Sequence, residues 1–181
     1  VPGVIGALAQ IRKTHYKFIM VSNQDGLGTE SFPEPTFWPA HNKMLSTLSG
    51  EGITFDAQHI DRTFEHEHAA TRKPGTAMLT PYINSPNCDI KHSYVIGDRA
   101  TDVQLAVNLG CKAILLQSAD KAAQMLNAQQ QEALALATTH WNEIAEFLRQ
   151  TERRAEVKRK TAETDIHVVV DLDGGGHTYI N

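Results

Sequence analysis

Ser93-Tyr94-Val95-Ile96-Gly97-Asp98-Arg99-Ala100-Thr101-Asp102-Val103-Gln104-Leu105-Ala106 is the stretch whose reading decides the fold. A short run of strand formers stops at a Gly-Asp pair. Val103, Leu105, Ala106 and Leu109 then recur at helical spacing until Gly110 ends the helix. The same strand-then-helix grammar extends outward. Tyr16 to Val21 is a second apolar strand, breaking at Ser22-Asn23-Gln24-Asp25-Gly26-Leu27-Gly28; Phe55 to Ile60 is a third, followed by a polar stretch from Asp61 to Pro74; Ala113 to Leu116 is a fourth. Helices are expected after Pro2-Gly3, from Thr36 to Gly50, over about Thr76 to Ile83, and through the remainder to Gln150. Near-continuous apolar strands alternating with helices predict an α/β fold, a parallel sheet covered on both faces. Ligands gather at the carboxyl ends of such strands, and the loops beginning at Ser22, Asp61 and Gly97 all leave from there.

Composition sets the frame. The 181 residues are 41% hydrophobic and 21% charged, with a net charge of −4 from 17 basic and 21 acidic side chains. That is the balance of a globular chain with one main core, and it argues against a nucleic-acid partner. No apolar run approaches the ~18 residues of a membrane helix, so no membrane partner and a cytoplasmic location are expected. Cys88 and Cys111 are too few and too far apart for a zinc ribbon or a disulfide framework. The chain starts at Val1 and its last residues read as the middle of a strand or turn, which predicts a piece of a longer protein. Past Gln150 the character changes: Glu152 to Lys160 holds five basic and two acidic residues, a predicted linker over residues 151–162. Ile166 to Asp173 then reads as a strand, and Gly174-Gly175-Gly176 with His177 beyond it as the turn and return of a hairpin opening a second domain.

Three groups of residues suit phosphate chemistry. Asp98, at the edge of the sheet, and Asp102, about one turn on, could hold a hard cation such as Mg²⁺; a helix-capping Asp98 with a solvated Asp102 is the alternative. Ser22-Asn23 offers a hydroxyl and backbone N–H groups to an anion, where a plain turn is the alternative. Arg72-Lys73-Pro74 brings two cations to the mouth of a third loop.

A hydroxyl, then a lysine, then a Gly-Asp pair, each leaving a strand end in this order, resembles the haloacid dehalogenase-like (HAD) phosphatases. Val21 to Thr29, the tract Ser31-Phe32-Pro33, Thr71-Arg72-Lys73-Pro74 and Val95 to Asp102 resemble histidinol-phosphate phosphatase. Arg154 to Gly176, with Lys160-Thr161-Ala162-Glu163-Thr164 and Leu172-Asp173-Gly174-Gly175-Gly176, resembles the opening of imidazoleglycerol-phosphate dehydratase, to which that phosphatase is fused in this order. The resemblance implies a HAD-like domain over residues 1–150, a linker over 151–162 and the start of an α+β dehydratase domain over 163–181. It implies Mg²⁺ as cofactor and histidinol phosphate as substrate, with oligomers formed through the dehydratase part. By resemblance Ser22, Lys73 and Asp98 are catalytic, Asn23, Gln24, Arg72 and Arg99 contact substrate or phosphate, and Asp98 and Asp102 hold the metal.

The family's nucleophile and general acid lie in an Asp-x-Asp-Gly-Thr motif on a first strand that has no counterpart here, so the sheet is expected to lack that strand and the chain alone to be inactive. Relatives often carry a Cys/His zinc loop before the Arg-Lys-Pro segment. Here that loop offers only His66 and His68, short of a four-ligand set, and no zinc is expected. Three other readings stay open: a HAD phosphatase for another small phosphate such as a sugar bisphosphate, a receiver-like signalling module, and a remnant that only binds.

Overall fold

A computed structural model of the chain describes residues 1–152, 154–161 and 163–171. Strands β3 (Tyr94–Gly97), β4 (Lys112–Leu115) and β5 (Leu134–Ala137) form a three-stranded parallel sheet in the order β3-β4-β5. Side chains alternate across a strand, and β4 shows what this does to the core. Ala113 and Leu115 pack on one face with Val103 and Ala106 of α4 (Ala100–Leu109) and Ala122 of α5 (Ala119–Met125). Ile114 packs on the other with Ala7 and Ile11 of α1 (Val4–Ile11) and Ile144, Ala145 and Leu148 of α7 (Trp141–Glu152). Both faces are therefore covered, as the apolar runs require. Leu105, Ile114, Leu115 and Ile144 are almost wholly buried, each contributing on the order of 1.5–3 kcal/mol. Gly110 ends α4 in the left-handed region at φ 74°, the conformation glycine adopts without penalty.

A second parallel pair stands apart: β1 (Ile19–Asn23) and β2 (Ala57–Asp61), with Ser22 opposite Ile60 and Asn23 opposite Asp61. The expected parallel sheet, lacking its first strand, is thus two parallel sheets among the described residues. Among the described residues β1 pairs only with β2 and β3 only with β4, leaving two facing edges without ladder bonds. Between them runs a groove of about 1480 Å³, whose lining includes Met20 and Val21 of β1, Tyr94 and Val95 of β3, and Leu105 and Phe147. Helix α2 (Glu34–Gly50) follows β1 and holds the buried His41, which bonds to Gln58 of β2 at 2.8 Å.

The segment from Thr76 is shorter in α-helix than its pattern suggests: a 3₁₀ turn at Ala77–Leu79 leads into α3 (Thr80–Ile83), with Pro81 in its first turn. The region from Leu116 to Gln150 is also not all helix. After α6 (Ala128–Ala133) the tetrad Leu134-Ala-Leu-Ala137 is β5, because pairing with β4 outweighs the helix preference of Leu and Ala. The charged run expected as a linker contains β6 (Arg154–Lys160), paired antiparallel with β7 (Asp165–Asp171). Val157, Ile166, Val168 and Val170 fall on one face of this ribbon and are exposed. The expected turn at Gly174–Gly176 and the strand from His177 lie outside the described residues.

Candidate active site

The carboxyl ends of β1, β2 and β3 carry the residues that the sequence singled out. At the end of β1 the hydroxyl of Ser22 accepts a 2.7 Å hydrogen bond from Gln24 Nε2, which leaves the Ser22 O–H proton to donate elsewhere. Gln24 therefore orients Ser22 here, while its own backbone N–H donates to Asp61 O at 2.7 Å. Gly26, at φ 70°, lets the loop turn under the ring of Phe64; a Cβ there would lie 2.7 Å from Phe64 Cε1.

Lys73 is held at both ends. Asn23 Nδ2 donates to Lys73 O at 3.1 Å and Lys73 N donates to Asn23 Oδ1 at 3.0 Å, so one amide closes a two-bond ring with the peptide groups of Lys73. Lys73 Nζ donates to Asp102 Oδ1 at 2.8 Å, an ion pair whose side chains are 18% and 7% exposed. Asp102 Oδ2 accepts from Arg99 N at 3.1 Å, capping α4 from within its first turn. Both oxygens of Asp102 thus have partners inside the protein, and its carboxylate anchors Lys73. Asn108 Nδ2 donates to Pro74 O at 2.8 Å and strengthens the same link. The Lys73 segment therefore spans the gap between the two sheets at their carboxyl edge.

The remaining cations divide. Arg72 forms a bidentate pair with Asp25 at 2.7 and 3.1 Å and donates to Thr63 O at 2.9 Å, so three of its five N–H groups join the two loops. Its pKa is raised by the hydrogen bond and charge of Asp25. Arg99 lies exposed at the rim. Asp98 is exposed at the end of β3, and its backbone oxygen accepts from Gln117 Nε2 at 3.0 Å. It borders a cavity of about 350 Å³ lined also by Gly97, Leu116, Gln117 and Thr139.

No group of three or more His, Cys, Asp or Glu side chains suited to a metal occurs among the described residues. Mg²⁺ asks for less, one or two carboxylates with water and phosphate oxygens, and the exposed Asp98 carboxylate fits one such position. Below the site Asp61, 3% exposed, accepts from Thr63 N at 3.0 Å and from the hydroxyls of Thr63 and Thr71, each at 2.5 Å. Burial pushes its pKa up, but these hydrogen bonds and the Arg72 charge outweigh that and hold it below the usual carboxylate range. His66 stacks on Phe64 with ring centroids 5.5 Å apart, and His68 is exposed at φ 50°.

Asp25, Asp61, Thr71 and Gln117 were not picked out by the sequence pattern. Asp61 at the end of an apolar strand was the one readable signal, since a buried carboxylate there must find donors.

The chain resembles known proteins in sequence and fold. A family described as HAD-hydrolase-like matches residues 70–140, which hold both Lys73 and the Gly97-Asp98 turn. The histidine biosynthesis bifunctional protein HisB of Bacteroides fragilis is 56% identical over 177 residues, covering 97% of this chain and 46% of the relative. The chain is similar to HisB along nearly its whole length. HisB of Spirosoma linguale is 53% identical over 186 residues, 97% of this chain and 48% of that protein. The chain spans about half the length of these curated relatives. Among solved structures, the D,D-heptose 1.7-bisphosphate phosphatase from B. bronchiseptica, complexed with magnesium and phosphate, aligns with a TM-score of 0.69 at 25% identity, over 83% of this chain and 84% of that one. No helix among the described residues is long and apolar enough to cross a membrane.

Proposed function

We propose that this chain is the phosphatase part of a bifunctional histidine-biosynthesis protein and hydrolyses the phosphomonoester of histidinol phosphate with Mg²⁺. In this reading residues 1–150 are the phosphatase domain, and the β6–β7 ribbon belongs with the opening of a dehydratase domain. The observation that carries the reading is the Lys73 segment, tied to the end of β1 through Asn23 and to α4 behind β3 through Asp102, which brings an anchored ammonium between the strand ends that carry Ser22 and Asp98.

Each residue has a separate task. Ser22 donates its O–H to one phosphoryl oxygen. Lys73 spends one of its three donors on Asp102 and keeps two for the phosphoryl group. Arg99 contacts the substrate at the rim. Asn23, Gln24 and Arg72 act from behind, through Lys73, Ser22 and Asp25. Asp98 would hold Mg²⁺, which when bound offsets the negative charge on the transferring phosphoryl group.

The nucleophile comes from a strand seated in the groove between β1 and β3, parallel to both. Its terminal carboxylate oxygen bonds to phosphorus as the P–O bond to the alcohol breaks. A neighbouring carboxylic acid gives its proton to the leaving alkoxide, and water then releases orthophosphate from the acyl phosphate.

The test measures orthophosphate released from histidinol phosphate by the full-length protein, with and without Mg²⁺, beside Lys73→Ala. Turnover that needs both the metal and Lys73 is expected; equal turnover in Lys73→Ala overturns the assignment. A second reading, a phosphatase for sugar bisphosphates, draws on the fold shared with the heptose bisphosphate enzyme. It predicts a higher kcat/KM for a heptose bisphosphate than for histidinol phosphate in the same assay.

A further inference from the structure

We infer that Asn23 is a positioning residue, setting where the Lys73 ammonium stands rather than touching substrate itself; the inference rests on the phosphatase reading and adds a role within that site. Lys73 lies in an irregular segment between β2 and the 3₁₀ turn at Ala77–Leu79, with no ladder of its own to fix it. Two contacts anchor it instead. At the far end Asp102 holds Nζ, but four rotatable side-chain bonds separate Nζ from the backbone, so this bond sets direction without placing the Lys73 peptide groups, whose neighbours Arg72 and Pro74 are tied to Asp25 and Asn108. At the near end the Asn23 amide matches the Lys73 peptide groups in polarity as well as place: its oxygen meets Lys73 N–H at 3.0 Å and its nitrogen meets Lys73 C=O at 3.1 Å.

Only a side chain with one acceptor and one donor side by side closes that ring. Asn23 itself is the last residue of β1, in register with Asp61, so the clamp refers the lysine to the most regular element nearby. The amide has both its functional atoms engaged and turned to the lysine backbone, which leaves the phosphoryl contacts to Ser22 and Lys73. A catalytic group displaced by about 1 Å loses a large part of its effect on rate, of order 10²-fold.

The chemistry supplies a selective test. In the full-length protein Asn23→Ala removes both bonds. Asn23→Asp keeps the acceptor, but at neutral pH turns a second carboxylate oxygen toward the Lys73 carbonyl; when protonated, the same carboxyl again offers an acceptor and a donor. The ionisable groups around this position are Asp25, Asp61, Arg72, Lys73 and Asp102, and all of them remain in wild type and variant alike. The Asn23→Ala to wild-type ratio over the same pH range is the control for their titration.

Steady-state kinetics on histidinol phosphate and amide hydrogen exchange are measured for wild type, Asn23→Ala and Asn23→Asp. Asn23→Ala is expected to lower kcat at least tenfold with KM within about twofold, and to speed exchange of the Lys73 amide. The Asn23→Asp to wild-type ratio of kcat is expected to rise as pH falls, while the Asn23→Ala ratio stays level. A raised KM with kcat intact would make Asn23 a substrate contact and overturn the inference, as would unchanged kinetics. Should the wild-type protein fail to hydrolyse the ester, the phosphatase reading falls by itself, and the exchange measurement decides the clamp: a Lys73 amide equally protected in Asn23→Ala refutes it.

Discussion

Replacing Gly97 with alanine adds one methyl group at a crowded point of the site. Its Cβ would lie 2.5 Å from Asp102 Cβ, and closer still to that carboxylate, against an ordinary carbon–carbon separation of 3.5–4.0 Å. Asp102 must withdraw by about 1 Å or more, because Gly97 is fixed by β3 pairing with Leu115 of β4. That retreat stretches the 2.8 Å bond to Lys73 past hydrogen-bond range and loosens the 3.1 Å bond to Arg99 N. A charge-assisted hydrogen bond contributes about 1.5–3 kcal/mol and a helix cap about 1 kcal/mol, so Gly97→Ala should destabilise by about 3 kcal/mol. For a chain of this size the melting temperature should fall by about 6–12 °C. The assay is a double-mutant cycle with Asp102→Gly, followed by urea or thermal unfolding. With the whole side chain gone, Cβ included, the added methyl has room, so Gly97→Ala in the Asp102→Gly background should cost under about 1 kcal/mol, a coupling near 2 kcal/mol. Additive effects, or a single variant within 0.5 kcal/mol of wild type, would refute the claim that Gly97 is glycine for the sake of Asp102.

Three further outcomes follow from the same geometry. Asp61 has a lowered pKa, so its hydrogen bonds contribute stability above its unfolded pKa of about 3.9, and that contribution is lost as pH falls through the lower folded value. Asp61→Asn should flatten the acid limb of the stability curve measured by urea unfolding; an unchanged limb contradicts this. Asp98→Asn should abolish Mg²⁺-dependent phosphate release by the full-length protein while moving stability by less than about 0.5 kcal/mol, since the Asp98 side chain is exposed. A large loss of stability would instead give Asp98 a structural role. Cys111 is 6% exposed, with its thiol pushed by burial up to about 11, and Cys88 is only partly buried. Maleimide under native conditions should therefore modify Cys88 and leave Cys111 unreacted until unfolding, as mass spectrometry of the peptides would record.

The elements readable in the sequence were those whose local pattern and tertiary setting agree. Tyr94 to Gly97 and the helix behind it carry strand formers, then helical spacing, then a terminal glycine, and the structure has all three. Leu134 to Ala137 did not show itself, because four good helix formers become a strand only through β4, some 20 residues upstream. The charged run from Arg154 hid β6 in the same way, since its partner β7 supplies the ladder. In the site, Ser22 and Asp98 stand out in the sequence because they lie at strand ends, and Lys73 because it sits in the loop after β2. Their supports do not. Asn23 meets Lys73 across 50 residues and Lys73 meets Asp102 across 29, and no local spacing encodes a hydrogen bond of that range. The protein partners of Asn23, Arg72 and Asp102 are therefore visible only in the structure.

The most direct test of the account is a crystal structure of the full-length protein with Mg²⁺ and orthophosphate. The account predicts an anion within hydrogen-bond distance of Ser22 Oγ and Lys73 Nζ, the metal on Asp98, Asp102 still paired with Lys73, and a strand filling the groove between β1 and β3. Phosphate and metal bound away from these three strand ends, or a groove closed by direct pairing of β1 with β3, would contradict it.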